Sequence, residues 1–287
     1  MVNDPMTIDN TIFFCSADNK YALYAATSLL SIRRYCPKCN LAIIGAQFSD
    51  AIKKILHENA IQCIELPLPG YFTKGWTQYP RECYYLFVGP EHFYQQGFQY
   101  SVYIDGDILC LNDPIKGVGE ITEVAGIKSS SYGHVLGYLG ENAMERFHEI
   151  WKFDRSMDAA KRLSSGVIYY NNAAMKDYSL LRSAQNIYQK CLENNLMCWG
   201  DDSLFALTQL LVFDQNSLRD LGPNYNFMPC YFGFDAKRED LVFFHFDNYP
   251  KPWHPNPFSH PKIPQYDIYN PYVKEWLDIY QKIKSTQ

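Results

Sequence analysis

Short apolar runs alternate with longer amphipathic segments in the first part of the chain. Three of the runs have the length and composition of buried strands: Thr11–Cys15, Leu41–Ile44 and Gln62–Leu66. The segments between them, Asp18–Tyr35 and Ser49–Asn59, carry apolar side chains at helical spacing and begin with capping residues. Strand, helix, strand, helix, strand is the pattern of a parallel sheet with helices packed on it, so the sequence predicts an α/β fold.

The same patterns continue to the end of the chain. Further strands are predicted at Tyr100–Ile104, Val124–Ile127, Val167–Tyr170 and Leu241–Phe244. Further helices are predicted at Arg81–Val88, Glu141–Trp151, Leu180–Asn194, Ser203–Leu211 and Val273–Lys284. Pro67–Pro80, rich in Pro, Gly and aromatic residues, is predicted to be a loop over the site. We divide the chain into a catalytic domain, residues 1–250, and a Pro- and aromatic-rich extension, residues 251–287, that ends in a short amphipathic helix.

Composition narrows the function classes. The 287 residues carry a formal net charge of -5, which argues against a general nucleic-acid binder because such proteins need a basic face. The nine cysteines are scattered, and Cys36–Cys39 is a lone C-x-x-C pair without a nearby His, so we expect reduced thiols and no zinc site. No stretch is long enough to cross a bilayer and no signal-peptide pattern is visible. We therefore expect a cytoplasmic protein, or one held peripherally at the inner face of a membrane.

The first candidate for chemistry is the acidic pair Asp105-Gly106-Asp107, which follows the apolar run YSVYI. Ligands of open α/β sheets bind at the carboxyl ends of strands, and two aspartates there suit a hard divalent cation. Gly106 is expected to permit a tight turn of the backbone beside the ligand. The alternative is a simple D-G turn, since D-x-D occurs by chance in many proteins. The apolar residues on both sides of the pair favour the metal site.

The second candidate lies near the C-terminus, in the apolar run LVFFHF and the residues after it. His245 within that run is a metal ligand or a hydrogen-bonded core histidine. Lys251 follows in a stiff Pro-containing segment and is suited to bind a phosphate group. Asp105, Asp107 and His245 are therefore the predicted metal ligands, with Lys251 beside them.

Five segments occur in an order that resembles a known family: Tyr103–Leu109 (YIDGDIL), Leu163–Asn171 (LSSGVIYYN), Trp199–Phe205 (WGDDSLF), Tyr225–Pro229 (YNFMP) and His245–Trp253 (HFDNYPKPW). The chain resembles the retaining glycosyltransferases of family 8, the group of glycogenin, the galactinol synthases and the bacterial lipooligosaccharide α-galactosyltransferases. The resemblance implies a GT-A type glycosyltransferase fold, with a mixed, mostly parallel central sheet flanked by helices. It also implies a UDP-sugar donor and Mn²⁺, with Mg²⁺ as the second choice.

The resemblance assigns the nucleotide side of the site to two segments. Ser16–Tyr21 resembles the family segment that contacts uracil and ribose, with Lys20 where Asn is common. The residues carried over from it are Ser16, Ala17, Asp18, Lys20 and Tyr21. Asp18 would accept the uracil N3–H, although it could equally be a helix cap, or both. Arg81, in a Tyr-x-Arg pattern, would reach the donor diphosphate or sugar.

On the sugar side the chain departs from the family pattern. Ser164 stands where Asn is usual, next to Ser165, and Asn248 stands where Gly is usual. Asp201 replaces a Gln and is followed by Asp202, so Asp201 could be a nucleophile or could hydrogen-bond sugar hydroxyls. We prefer the second role. Asp201, Asp202 and Lys251 are the candidate catalytic residues.

The predicted function is a metal-dependent, retaining hexosyltransferase. It would move galactose or glucose from a UDP-sugar to a saccharide or glycolipid acceptor. The alternative is a non-catalytic nucleotide-sugar-binding protein on the same fold. A nucleotidyltransferase or phosphatase is disfavoured because the sequence has no Gly-rich phosphate loop. The aromatic and basic C-terminal tail suggests a peripheral membrane contact or, as we prefer, a tail packed over the domain; a homodimer is left open.

Overall fold

A seven-stranded sheet forms the centre of the structure, a computed structural model. It describes residues 5–67, 72, 80–118, 127–129, 131–134, 141–152, 161–196, 200–214, 217–233, 236–247, 250–258 and 266–285. The strands are β1 (Thr11–Ser16), β2 (Asn40–Gly45), β3 (Gln62–Glu65), β4 (Tyr100–Ile104), β5 (Ile108–Cys110), β6 (Ile127–Ser129), β7 (Ser131–His134), β8 (Lys161–Leu163), β9 (Val167–Asn171), β10 (Leu218–Asp220) and β11 (Phe243–His245). The helices are α1 (Ala22–Ile32), α2 (Asp50–Glu58), α3 (Gly89–Gln95), α4 (Glu141–Trp151), α5 (Asn172–Asp177), α6 (Leu180–Glu193), α7 (Gly200–Val212), α8 (Pro229–Phe232) and α9 (Asn270–Lys284).

The large sheet is mixed and mostly parallel. Its strand order is β10-β6-β9-β4-β1-β2-β3, and only β9 runs against its two neighbours. β5 and β11 form a separate antiparallel pair, as do β7 and β8. The predicted α/β architecture is confirmed, with β4, which leads to the acidic pair, near the middle of the sheet.

The central strands β1, β2, β4 and β9 are buried on both faces, which explains why they are mostly apolar runs. Along β1, Ile12 and Phe14 pack into one cluster of buried side chains, while Phe13 and Cys15 pack into a second cluster on the opposite face. This alternation follows from the two-residue period of a strand. Helices therefore cover both faces and leave the strand ends as the places where a ligand can approach.

Most predicted elements are confirmed. The strands predicted over residues 11–15, 41–44, 62–66, 100–104 and 167–170 are β1, β2, β3, β4 and β9. The helices predicted over residues 49–59, 141–151, 180–194, 203–211 and 273–284 are α2, α4, α6, α7 and α9. Residues 124–126 lie outside the described residues, as does most of the predicted loop over residues 67–80.

Three boundaries differ from the prediction. The helix after β1 begins at Ala22, because Asp18 Oδ1 accepts a hydrogen bond from Tyr21 N (2.8 Å) and closes a turn first. Arg81–Phe87 is a 3₁₀ helix, and a separate α3 begins at the following Gly-Pro pair. The last apolar run forms a strand only over Phe243–His245 (β11).

The described part of the C-terminal extension packs against α1. The Trp253 ring stacks on Tyr24 with 4.2 Å between ring centroids, and Trp276 of α9 is wholly buried beside them. Glu275 pairs with Arg34, from the segment that follows α1. This arrangement agrees with a packed tail, while the membrane contact and the homodimer stay predictions. None of the described helices is long and apolar enough to cross a bilayer.

Candidate metal and donor site

The acidic pair lies between two buried strands, at the end of β4 and before β5. The backbone on either side holds it in place: Asp105 N donates to Gly166 O (2.9 Å), and Phe246 N donates to Asp107 O (2.9 Å). Gly106 does not have a positive φ, and a Cβ added to it would meet only Ala25, at 3.5 Å. The protein's own backbone and neighbours therefore do not require a glycine here, and close approach of a ligand to Gly106 stays a prediction.

His245 faces both carboxylates because β11 pairs with β5 in antiparallel register, His245 opposite Ile108. Its Nε2 lies 3.2 Å from Asp107 Oδ1 and 3.7 Å from Asp105 Oδ2. One ligand atom from each of the three residues lies within 4.8 Å of the others. Among the described residues, no other group of acidic, His and Cys side chains meets this spacing. Two carboxylates and an imidazole suit a divalent cation such as Mn²⁺.

The other ring nitrogen of His245 is held by a buried amide. Nδ1 lies 2.9 Å from Asn226 Oδ1, and Asn226 Nδ2 donates to Ser164 Oγ (2.7 Å). An amide oxygen only accepts, so Nδ1 carries a proton and Nε2 is the nitrogen available to a metal ion. Burial opposes protonation of this ring, but the two carboxylates raise the pKa of His245 overall, so a metal ion would compete with a proton at Nε2.

The two aspartates differ in charge. Burial opposes ionisation of Asp107, but Lys251 and His245 lower its pKa overall. Lys251 Nζ donates to Asp107 Oδ2 and also to Phe246 O (2.6 Å). Burial raises the pKa of Asp105 to about 8; Asp107 adds to the effect and His245 opposes it. Without a metal ion, therefore, the pair already carries one stable negative charge beside a lysine.

Beyond the ends of β1, β2 and β3 lies an open cavity of about 910 Å³. Its walls include three of the predicted nucleotide contacts, Asp18, Lys20 and Arg81. Asp18 accepts a hydrogen bond from Tyr21 N, the N-cap residue of α1, so it closes the turn just before the helix, and its contact with uracil stays a prediction. Arg81 is exposed, and Lys20 lies 5.3 Å from the ring centroid of Tyr21.

The other two residues of this segment lie further inside. Ala17 is buried, and its N donates to Ile44 O (3.0 Å) on β2. Ser16 Oγ lies 3.2 Å from Tyr103 OH, which donates to Asp105 Oδ1 (2.8 Å). Tyr103 therefore connects the nucleotide segment to the acidic pair.

A second pair of aspartates occupies the first turn of α7. Asp202 accepts from Ser165 Oγ (2.9 Å) and forms an ion pair with the wholly buried Arg162 (3.0 Å). Burial and then the charge of Asp202 raise the pKa of Asp201 to about 6. Cys83 and Asp201 are neighbours, since the thiol lowers the pKa of Asp201 and Asp201 raises that of Cys83. Since Asp201 also raises the pKa of Asp105, the two acidic pairs face the same region.

The structure brings the predicted metal ligands and Lys251 together and borders the cavity with Asp18, Lys20 and Arg81. The hydroxyl of Ser164, predicted to line the sugar, accepts a hydrogen bond from Asn226 Nδ2, and its sugar contact stays a prediction. Asn248 lies outside the described residues. Sequence reasoning missed the roles of Tyr103, Asn226, Arg162 and Gly166. The available signal was that Tyr103, Asn226 and Gly166 lie inside the quoted family segments; nothing in the sequence indicated Arg162.

Comparisons with known proteins rest on structure alone. No protein-family model matches the chain, and no curated protein matches it in sequence. The galactosyltransferase LgtC, solved with donor and acceptor sugar analogues, superposes with a TM-score of 0.67 at 15% identity, covering 94% of this chain and 95% of that one. The glycosyltransferase GlyE of Streptococcus pneumoniae gives 0.59 at 17% identity, covering 96% and 63%. Mouse xyloside xylosyltransferase 1 gives 0.52 at 13% identity, covering 83% and 96%. The chain therefore has the GT-A fold, and its structural neighbours are glycosyltransferases.

Proposed function

We propose that this protein is a metal-dependent, retaining glycosyltransferase of family 8 type that transfers a hexose from a UDP-sugar to a saccharide or glycolipid acceptor. The observation that carries the proposal is the joint position of Asp105, Asp107 and His245 beside Lys251 at the centre of a GT-A fold. Structural neighbours of this fold include enzymes named for galactosyl and xylosyl transfer, which supports sugar transfer but leaves the donor sugar open.

Asp105, Asp107 and His245 would hold Mn²⁺ or, as second choice, Mg²⁺. The ion would supply positive charge where negative charge builds on the leaving diphosphate. Two carboxylates and a neutral imidazole are a suitable ligand set, and the Asn226 contact already keeps the proton of the neutral ring on Nδ1. The three side chains that would bind the ion therefore already lie together in the protein.

The protein's own charges act on the same group. Lys251 lies on Asp107 and raises the local positive potential where the diphosphate would leave. Arg81 at the cavity edge is the second cation for the donor, and Asp18 is the acceptor for the uracil N3–H. The remaining nucleotide contacts would come from Ser16, Ala17, Lys20 and Tyr21.

On the sugar side we assign Asp201 to hydrogen bonds with sugar hydroxyls and not to nucleophilic attack. The resembled family usually has Gln at this position, and an amide there can hydrogen-bond a sugar hydroxyl but cannot act as a carboxylate nucleophile; Asp201 keeps that hydrogen-bonding capacity. Asp202 already uses its carboxylate on Arg162 and Ser165. Departure of the diphosphate with attack from the same face then needs no enzyme nucleophile, and the leaving phosphate can accept the proton of the acceptor hydroxyl.

The test is release of free UDP from a panel of UDP-sugars by the full-length protein with Mn²⁺, with Mg²⁺ and with EDTA. We expect turnover with UDP-galactose or UDP-glucose that EDTA abolishes and Mn²⁺ restores. Asp107→Asn is the inactive control. Lys54→Ala is the matched surface control, because Lys54 lies on α2 and pairs with Glu58 of the same helix (3.8 Å), and neither residue lines the cavity.

Two outcomes would overturn the proposal. Turnover that is unchanged by EDTA and by Asp107→Asn would remove the metal centre from the reaction. Binding of UDP-sugars by calorimetry, without hydrolysis or transfer for any donor and any acceptor supplied, would leave a non-catalytic nucleotide-sugar-binding protein.

A further inference from the structure

Asn226 lies opposite His245 because the backbone on both sides of it is paired. Phe227 N donates to Phe243 O (2.9 Å), and His245 N donates to Phe227 O (2.9 Å). Asn226 N donates to Pro223 O (3.2 Å), which ends a short 3₁₀ helix over Pro223–Tyr225. Asn226 is wholly buried as a result, and its amide can reach only neighbours inside the protein.

Both ends of the Asn226 amide are used. Its oxygen accepts a hydrogen bond from His245 Nδ1 (2.9 Å), and its nitrogen donates to Ser164 Oγ (2.7 Å). Ser164 is also buried, and its hydroxyl accepts from Gly166 N (3.1 Å). Its carbonyl accepts from Ser129 Oγ (2.8 Å). A buried amide with both ends satisfied resists rotation, because turning it would break two hydrogen bonds.

Gly166 restricts the imidazole from the other side. A Cβ added there would lie 2.6 Å from His245 Cε1 and 2.8 Å from Nδ1, so the ring packs directly on the glycine backbone. Asn226 and Gly166 together determine which nitrogen carries the proton and how the ring is turned. With the proton on Nδ1, the lone pair of Nε2 points toward the two carboxylates.

We propose that Asn226, supported by Ser164, is a positioning residue that holds His245 in its Nδ1–H form so that Nε2 can bind the metal ion. This inference rests on the proposed function, since it requires a metal ion at Asp105, Asp107 and His245. It also gives a role to Ser164 that does not involve the sugar. The short hydroxyl side chain of Ser164 fits directly beside Asn226. The family pattern has Asn at the position of Ser164.

The experiment measures Mn²⁺ affinity of the full-length protein by electron paramagnetic resonance, with UDP present and no acceptor. Asn226→Leu keeps the size of the side chain and removes the acceptor; we expect affinity to fall about 10- to 100-fold, the usual effect of losing an outer-shell partner. Asn226→Asp keeps an acceptor for Nδ1–H, and the Ser164 hydroxyl can turn to donate to it. We expect this variant to bind Mn²⁺ within about threefold of the native protein.

Asn172 provides the matched control. It is also wholly buried and also uses both ends of its amide, accepting from Ser101 Oγ (2.6 Å) and donating to Phe98 O (3.0 Å) away from the metal centre. Asn172→Leu should lower the melting temperature without changing Mn²⁺ affinity. If Asn226→Leu does not fold, Ser164→Ala replaces it and should weaken Mn²⁺ binding about fivefold, the value of one neutral hydrogen bond.

Equal Mn²⁺ affinity in folded Asn226→Leu or Ser164→Ala would overturn the inference and leave the proposed function intact. Equal loss in Asn226→Leu and Asn226→Asp would also overturn it, because packing and not the hydrogen bond would then be the cause. A native protein that binds no Mn²⁺ with UDP would overturn both the inference and the proposed function.

Discussion

The structure contains two aspartate pairs that face one region, and in each pair one aspartate is neutralised by a cation. Asp107, before β5, is paired with Lys251, and Asp202, in the first turn of α7, is paired with Arg162. The cations differ in their exposure. The side chain of Lys251 is 29% exposed, whereas that of Arg162 is 0% exposed. A lysine near solvent can move to an incoming ligand, while a buried arginine is committed to its carboxylate.

The remaining aspartate of each pair lies beside a neutral group. Tyr103 OH donates to Asp105, and the Cys83 thiol is a neighbour of Asp201. Burial is the largest cause of the raised pKa in both, to about 8 for Asp105 and about 6 for Asp201. Each pair therefore couples a charged aspartate with one that resists ionisation.

The two aspartate pairs differ in whether a third side chain that could bind a metal ion lies beside them. His245 faces Asp105 and Asp107, and no His or Cys joins Asp201 and Asp202 in a comparable group among the described residues. Two carboxylates alone do not distinguish a metal site from a hydrogen-bonding site. The imidazole therefore makes the first pair the candidate metal site, and the second pair is the one we propose for hydrogen bonds to sugar hydroxyls.

The largest expected effect separates the two charged aspartates. Asp107→Asn removes a predicted metal ligand, so we expect transfer to fall by about 10³-fold or more, which corresponds to several kcal/mol of lost charge stabilisation. Asp202→Asn leaves Arg162 buried beside a neutral amide, so we expect about 3 kcal/mol or more of lost folding stability with Mn²⁺ affinity retained. Metal titration and denaturant unfolding of both variants check this. Loss of metal binding in Asp202→Asn would contradict the division of roles.

The next-largest effect is expected from substituting one of two glycines beside the candidate metal site. Gly166→Ala would drive a methyl group into His245 (2.6 Å to Cε1), so we expect Mn²⁺ affinity to fall about 10- to 100-fold. Gly106→Ala is the control, because its Cβ would meet Ala25 at an ordinary 3.5 Å. We expect Gly106→Ala to bind Mn²⁺ like the native protein. Weaker Mn²⁺ binding in Gly106→Ala than in Gly166→Ala would show that the turn between the aspartates, and not the packing of His245, determines affinity.

The fold could be predicted from the sequence wherever an element is long and buried. β1, β2, β4 and β9 are continuous apolar runs, and α2, α6 and α9 have a clear apolar face. β5 is only three residues long, and α3 starts at a Gly-Pro pair, so neither stands out from its neighbours. The reversed direction of β9 could not be predicted, because a buried strand has the same pattern in either direction.

The grouping of Asp105, Asp107 and His245 could be predicted because their residue types indicate a candidate metal site. Tyr103 and Asn226 could not, because each acts through another residue and a buried Tyr or Asn has the same appearance in sequence as any core residue. Arg162 could not be predicted for a different reason. Its role depends on the contact with Asp202, which the fold creates between β8 and α7.

A third prediction tests the raised pKa of Asp201. Its pKa rises from 3.8 to about 6 on folding, so between about pH 4 and pH 6 the folded state retains a proton that the unfolded state releases. Stability from this group is therefore lost as pH rises through that window, and Asp201→Asn should be more stable than the native protein at pH 7 by about 3 kcal/mol. Below about pH 4 the two should be equally stable. Urea unfolding at pH 4 and pH 7 measures the difference.

The same variant tests the sugar-side role. The amide that replaces the carboxylate in Asp201→Asn can still hydrogen-bond a sugar hydroxyl but cannot act as a carboxylate nucleophile toward the anomeric carbon. We expect substantial turnover with UDP-galactose or UDP-glucose. Complete loss of turnover in a protein that is stable and binds Mn²⁺ would instead support a carboxylate nucleophile.

The smallest expected effect concerns the hydroxyl that connects the nucleotide segment with the acidic pair. Tyr103→Phe removes the hydrogen bond to Asp105 (2.8 Å) and the contact with Ser16 (3.2 Å) but keeps the buried ring. One hydrogen bond is worth about 1 kcal/mol, so we expect Mn²⁺ affinity in the presence of UDP to fall about fivefold. Tyr169→Phe is the matched control, since Tyr169 is also buried and its hydroxyl donates to Pro114 O (2.8 Å). An equal change in both variants would show that the effect comes from the core, and the hydroxyl of Tyr103 would then have no specific role in orienting Asp105.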